Sequence, residues 1–279
     1  MTTTALEYFS LLVQEDDSIP LFEAALSIAQ DSEPELDLNA VQAEVDTLAQ
    51  RLIGRTPMDA TPIQKLRLLN HFFYQELGFA GNVNDYYSAE NSYLHRVLHS
   101  RRGIPISLAI LYMEFAQQIG LNIKGINFPG HFLMKLGLVS GEIILDPFNG
   151  NSLTREELEE RVDMICHGRE VPPETSLSTL LAVARPRDIL ARLLRNLKAL
   201  FTESPYWDKA LDVHQRLIIL LPENTRERRD RGLTYAHLDC PQAALNDLEA
   251  YLADYPDAED ALRLRAQLPA LRQACRRLN

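Results

Sequence analysis

The feature that most limits what this chain can fold into is a self-similarity in its last third. From Arg185 onward, a shift of 34 residues superposes Ala210-Leu211 on Ala244-Leu245, Phe201 on Tyr235, and Leu221-Pro222 on Tyr255-Pro256. The apolar residues in between recur at helical spacing. A helical pattern that repeats at this interval implies stacked helix pairs, because one pair cannot bury its apolar face alone and must lie against the next.

The period belongs to the tetratricopeptide helix pair. The second copy carries Gly232, Tyr235, Ala244, Leu248 and Pro256 at positions usual for that repeat, whereas the first keeps Phe201, Ala210 and Pro222 but has Lys198 where glycine is expected. The segment from Asp260 to Leu278 then reads as a terminal helix over the open end. The apolar residues Leu158, Val162, Ile165, Leu180 and Leu181 are expected to cover the other end.

Upstream the pattern differs. Between Leu6 and Leu77 helical stripes dominate, one through Ala40, Val41, Val45, Leu48, Ala49 and Leu52, another through Ile63, Leu66, Leu69, Phe72 and Phe73. Asp37 or Asn39 suits the cap of the first, and Thr61-Pro62 opens the second. A turn-rich segment from Gly78 to Ser92 leads into a short helix. The stretch Ile106 to Ile119 is apolar or small at nearly every position, which predicts a helix buried on most sides and closed by Gly120. Three short strand-like runs follow, Asn122–Phe128, His131–Leu136 and Glu142–Leu145, separated by Pro129-Gly130, Gly137 and Gly141. Short consecutive strands joined by tight turns predict an antiparallel meander on the preceding helix, so the fold class is α+β. Pro172-Pro173 marks a boundary. The division expected is 1–35 as an amino-terminal helical segment, 36–184 as the core and 185–279 as helical repeats.

The chain has 279 residues, 46% of them apolar and 24% charged, which fits a globular protein and excludes disordered and disulfide-scaffold classes. Its net charge of −11 argues against binding nucleic acid or an anionic membrane surface. The first sixty residues hold twelve acids and two bases, so the acidity is concentrated there. Met1-Thr-Thr-Thr lacks the start of a secretion signal and no apolar run is long enough to span a bilayer, which reads as a cytoplasmic protein. Cys166, Cys240 and Cys275 form neither an even set nor a CxxC pair, so neither a disulfide framework nor a cysteine metal site is expected.

Chemistry-bearing residues gather in Arg101-Arg102-Gly103-Ile104-Pro105-Ile106-Ser107, Asn127-Phe128-Pro129-Gly130-His131-Phe132 and Asp146-Pro147-Phe148-Asn149-Gly150. If His131 opens one strand and Asp146 closes the next, a hairpin with Lys135 facing Glu142 and Gly137 facing Ser140 sets the two opposite each other. The carboxylate would hold the imidazole Nδ1 and orient the other nitrogen, either as a buried structural pair or as the base and orienter of a catalytic set. Leu138-Val139 is a poor two-residue turn, so a longer loop with diagonal partners is the alternative. Ser107 is the nearby hydroxyl, readable as a weak nucleophile or as a residue bonding a free N–H at a helix start. His95 and His99 have metal-ligand spacing on a helix but also suit two surface histidines. Arg101 and Arg102 suit an anion, or a pairing with the acidic amino-terminal helices.

On Asn91-Ser-Tyr93, Arg102-Gly-Ile-Pro105-Ile, Gly125-Ile-Asn-Phe-Pro-Gly-His131-Phe and Asp146-Pro-Phe-Asn-Gly150, the chain resembles the bacterial SirB-type proteins over about residues 35 to 270. That resemblance implies a transglutaminase-like, papain-like core followed by tetratricopeptide repeats. It also implies a cysteine at the start of the central helix, meeting a histidine and an aspartate from adjacent strands. His131 and Asp146 match the last two, but the nucleophile position falls at or beside Pro105, where no thiol stands. The function expected is therefore recognition of a protein or peptide by a groove lined by Asn91, Tyr93, Arg102, Pro105 and Phe148, without catalysis, cofactor or metal. The alternative is a hydrolase or acyltransferase using His131 and Asp146 with Ser107 or with a metal.

Overall fold

A computed structural model describes residues 4–166 and 176–278. The Pro172-Pro173 boundary lies outside the described residues. The chain forms two compact units, residues 12–193 and residues 1–11 with 194–279, so the first 35 residues are shared between them. Helix α1 (Ala5–Leu12) belongs almost wholly to the second.

The first unit begins with α2 (Leu21–Ser27) and α3 (Leu38–Ile53). Asp37 caps α3, its carboxylate accepting the Asn39 and Ala40 N–H groups at 3.0 and 3.1 Å. Thr61 opens α4 (Pro62–Asn70) with a reciprocal pair to Gln64, which satisfies two amide donors that the helix start leaves free. The helix then widens into a π turn over His71–Glu76, with Phe72 and Phe73 buried. Two short segments, β1 (Ala80–Gly81) and β2 (Arg102–Gly103), pair in parallel on either side of α5 (Leu94–Ser100).

The core is α6 (Pro105–Gln118), buried through Ile106, Leu108, Ala109, Ile110, Leu111, Tyr112, Phe115 and Ala116. It ends as its sequence predicts: Gly120 takes φ 67°, and the Leu121 N–H returns to the Ala116 carbonyl at 2.8 Å. An antiparallel meander follows, β3 (Ile123–Ile126), β4 (Leu133–Leu138), β5 (Gly141–Leu145) and β6 (Ser152–Leu153), and α6 packs against β3 and β4.

The hairpin register differs from the one expected. Gly137 faces Glu142 and Leu138 faces Gly141, so the turn is Val139-Ser140 and the pairing slips by two residues. Because side chains alternate with period two, that slip keeps every residue on its expected face.

The other face of the sheet, Ile126, Leu133 and Ile144 together with Phe128, is covered by Leu158 and Leu181, with Val162 and Leu180 packed against them. These come from α7 (Arg155–Cys166) and from α8 (Leu177–Leu180) with the residue after it. Of the apolar residues expected to cover the repeats, Leu158, Val162, Leu180 and Leu181 cover the sheet; Ile165 lies outside the described side chains. Helix α9 (Pro186–Glu203) contributes its residues up to Leu193 to this unit.

In the second unit α10 (Trp207–Leu220), α11 (Thr225–His237), α12 (Pro241–Asp254) and α13 (Ala261–Leu278) pack each on the next. Gly232 is a close-approach position, since a Cβ there would stand 3.0 Å from Leu248. Lys198, which replaces the expected glycine of the first repeat, bridges Glu227 at 2.8 Å and Asp230 at 2.9 Å. Helix α13 covers the last pair through Leu264 and Leu268, which meet Leu248, Tyr251 and Leu252. Phe9 of α1 is fully buried, with the Arg216 guanidinium 4.8 Å above its ring.

Candidate functional site

Asp146 leaves β5 directly into a closed turn in which the Gly150 N–H donates to the Asp146 carbonyl at 2.8 Å. Two elements clamp that turn. Tyr74, in the π turn, donates to the Pro147 carbonyl at 3.0 Å, and Asn70 donates to the Gly150 carbonyl at 3.1 Å while accepting the Tyr112 hydroxyl at 2.6 Å. Gly150 sits at φ 77° with the Tyr74 ring 2.4 Å from where a Cβ would be, so both conformation and space require glycine. Desolvation of the Tyr74 and Tyr112 phenols raises their pKa and keeps them protonated donors.

The turn is tied to the start of α6 through the short parallel pair. The Gly81 N–H donates to the Phe148 carbonyl at 3.0 Å, Gly81 pairs with Gly103, and the Asn82 N–H donates to the Gly103 carbonyl at 2.9 Å. A Cβ on Gly81 would penetrate the Phe148 ring at 2.0 Å, so glycine lets the aromatic lie directly on the backbone.

His131 precedes β4, and its imidazole reaches Asp146 diagonally. The contact is Nε2 to Oδ1 at 2.9 Å, so the nitrogen expected to bond the carboxylate, Nδ1, is the one left over. Oδ1 also accepts the Phe148 N–H at 2.9 Å, and Oδ2 accepts Arg161 from α7 at 3.0 Å. Burial pushes the Asp146 carboxyl upward, but the hydrogen bond and charge of His131, the Phe148 amide and Arg161 outweigh it and hold it below the ordinary carboxylate range. Asp146 is 3% exposed, and the His131 side chain 24%. The arrangement is an oriented imidazole presented at the surface by an ionised, fully occupied carboxylate.

The other expected residues divide. Ser107 is fully buried; its hydroxyl donates to the Asn91 carbonyl at 2.5 Å, lies 3.1 Å from the Ile104 carbonyl and accepts the Ile104 N–H at 3.2 Å. Among the described residues it makes no hydrogen bond to an imidazole. Asn91 is buried and holds the preceding loop, donating to the Asp85 and Tyr86 carbonyls at 2.6 and 3.1 Å. Tyr93 is buried with its hydroxyl 3.0 Å from Ser32 Oγ. Pro105 is buried as the first residue of α6. Asn91, Tyr93 and Pro105 therefore stand behind the surface and not on it. Arg102 is exposed and donates to the Gly78 and Arg101 carbonyls at 2.7 and 2.9 Å, whereas Phe148 lies half-buried beside Asp146.

Arg101 stands 3.9 Å from Glu44, which is the pairing with an acidic amino-terminal helix. His95 bonds Glu33 at 2.9 Å, and His99 is exposed. Among the described residues no group of three or more His, Cys, Asp or Glu is placed to hold a metal.

Sequence reasoning missed Arg161, Tyr74 and Arg192. Arg192 donates to the Phe128 carbonyl at 2.8 Å, the same carbonyl that accepts the His131 N–H at 3.2 Å. No local signal marks these three, since each acts on a residue at least 15 positions away.

Comparison with known proteins agrees with this geometry. A family profile described as transglutaminase-like superfamily matches residues 39–195, and a tetratricopeptide repeat profile matches 197–269. A UPF0162 protein of Xylella fastidiosa (strain 9a5c) is 39% identical over 264 residues, covering 93% of this chain and 92% of its own. The UPF0162 protein PA3419 of Pseudomonas aeruginosa is 32% identical, covering 90% of each chain. Protein SirB1 of Salmonella typhimurium is 30% identical, covering 80% of each. No solved structure matches significantly. Among the described residues no helix is long and apolar enough to cross a membrane. With more than half of its length under the first profile and these relatives matched along most of theirs, the chain belongs to the transglutaminase-like superfamily, in its SirB-type group with tetratricopeptide repeats after the core.

Proposed function

We propose that the transglutaminase-like unit is a recognition surface for a protein or peptide and not a catalyst, with the tetratricopeptide repeats offering a second protein-binding face. One observation carries this reading: His131 and Asp146 keep the base-and-orienter arrangement, while the start of α6 offers no nucleophile. Pro105 has nothing to attack with, and the Ser107 hydroxyl is buried and engaged by its own backbone neighbours. Acyl transfer needs a thiolate or an activated hydroxyl beside the imidazole, and a base alone leaves that step unmade. Cys240 and Cys275 lie in the repeat unit. Tetratricopeptide repeats commonly engage other proteins, which favours a macromolecular partner over a small substrate.

Affinity capture from a bacterial extract, with wild type and His131→Ala side by side, tests the reading. A protein retained by wild type and lost in the variant is the expected result. Identical capture by both, or turnover that depends on His131, would contradict it.

A further inference from the structure

Beside His131 stands a cation that makes no ion pair among the described residues. Arg192 is partly buried, bonds a neutral carbonyl and lies over the Phe132 ring at 5.8 Å. Among the described residues no carboxylate stands within ion-pair distance of it, although neighbouring arginines are paired, Arg161 with Asp146 and Arg187 with Asp16. In a chain of net charge −11, a half-desolvated guanidinium that meets no carboxylate among the described residues is an open position for an anion. Burial lowers its pKa, and the Tyr86 phenol opposes that shift.

From this cation a chain of contacts runs to the loop before α5. Phe128 offers one carbonyl to both His131 and Arg192, Asp146 joins His131 to the Phe148 amide, and the Phe148 and Tyr86 ring centroids are 6.4 Å apart. Outward from Tyr86 the loop bears Val83, Tyr86 and Tyr87 at 77%, 41% and 78% exposure, with the two tyrosine rings 5.4 Å apart. Exposed apolar side chains on a loop that meets Phe148 mark a contact site.

The geometry points to a seat for a peptide that ends in an apolar residue, its terminal carboxylate on Arg192 beside His131 and its last side chain against Phe148, Tyr86 and Tyr87. The inference rests on the recognition reading above and names the chemistry recognised. A carboxylate fits the free edge of a planar guanidinium with two parallel hydrogen bonds. A single arginine does not balance a phosphate dianion.

Two pools of randomised hexapeptides test it on the full chain, identical except that one ends in free carboxylate and the other in carboxamide. Wild type should retain the free-acid pool about tenfold more strongly, with apolar last residues enriched. Arg192→Gln should bring that ratio close to one in a protein that still melts cooperatively, while Arg192→Lys should keep part of it. Equal retention of both pools by wild type, or a preference untouched by Arg192→Gln, would overturn the carboxylate seat. If peptides are held in a His131-dependent way without that preference, recognition stands and this inference falls; if neither pool is held, both fall.

Discussion

Asp146 grips His131 by Nε2 at 2.9 Å and not by the nitrogen nearer the backbone, so the free edge of the imidazole is Nδ1. The grip is rigid because the carboxylate has no idle oxygen: the Phe148 amide shares Oδ1 and Arg161 holds Oδ2. The fold thus keeps a histidine oriented at the surface at the expense of a buried charge, an arrangement costly to lose once built.

Asp146→Asn places an amide N–H against either Arg161 or the donors on Oδ1, and should cost about 2–4 kcal/mol in urea unfolding at pH 7. The folded carboxyl lies below its unfolded value, so its contribution is present above the ordinary carboxylate range and is lost as the pH falls toward the folded value. The gap between wild type and variant should therefore narrow in acid melts; a gap that widens on acidification would contradict the assignment.

His214 in α10 predicts a second, separable acid effect. It is 2% exposed, and burial, with Lys198 adding to it, lowers its pKa from the ordinary 6.5 to about 4. Below pH 6.5 the unfolded chain takes a proton that the folded one refuses, so stability falls between these two values by up to about 3 kcal/mol and then levels. His214→Leu should flatten that part of the profile, read as the thermal midpoint of the repeat unit against pH. An unchanged slope in the variant would refute it.

The helices of both units are legible in the sequence because their signals are local. Asp37, Thr61 with Gln64, and Gly120 each act within five residues, and the repeat period fixes how Gly232 meets Leu248. The meander is legible in kind but not in register, since Leu138-Val139 is a poor turn and neither it nor Val139-Ser140 carries the residues that fix a hairpin, so only the packed sheet decides. His131 and Asp146 still met, because a two-residue slip preserves the face. What stays hidden is anything addressed across the chain: Leu158 and Leu181 show that they are apolar but not which surface they cover, and nothing near Arg192 marks the Phe128 carbonyl.

The amino-terminal helix gives the strongest case of such an address. Phe9 belongs to the same compact unit as the repeats, fully buried beneath Arg216. Phe9→Ala should destabilise that unit by about 3–5 kcal/mol, measured by loss of protection in hydrogen exchange over α10 and α11. Protection lost only within residues 12–193 would contradict the grouping.

Ser107→Ala separates a structural hydroxyl from a reactive one. Removing it leaves the buried Ile104 N–H and Asn91 carbonyl without that partner, at a cost of about 1–3 kcal/mol, while peptide retention should stay unchanged. Loss of retention in a variant that melts like wild type would give Ser107 a direct role.

The most direct test of the central claim is a side-by-side measurement of ammonia release from glutaminyl peptides and of new amino termini from peptide hydrolysis, using wild type and His131→Ala. A surface that recognises without catalysing predicts both signals at the level of buffer alone for either protein. Ammonia or cleaved peptide that accumulates with wild type and disappears with His131→Ala would contradict it.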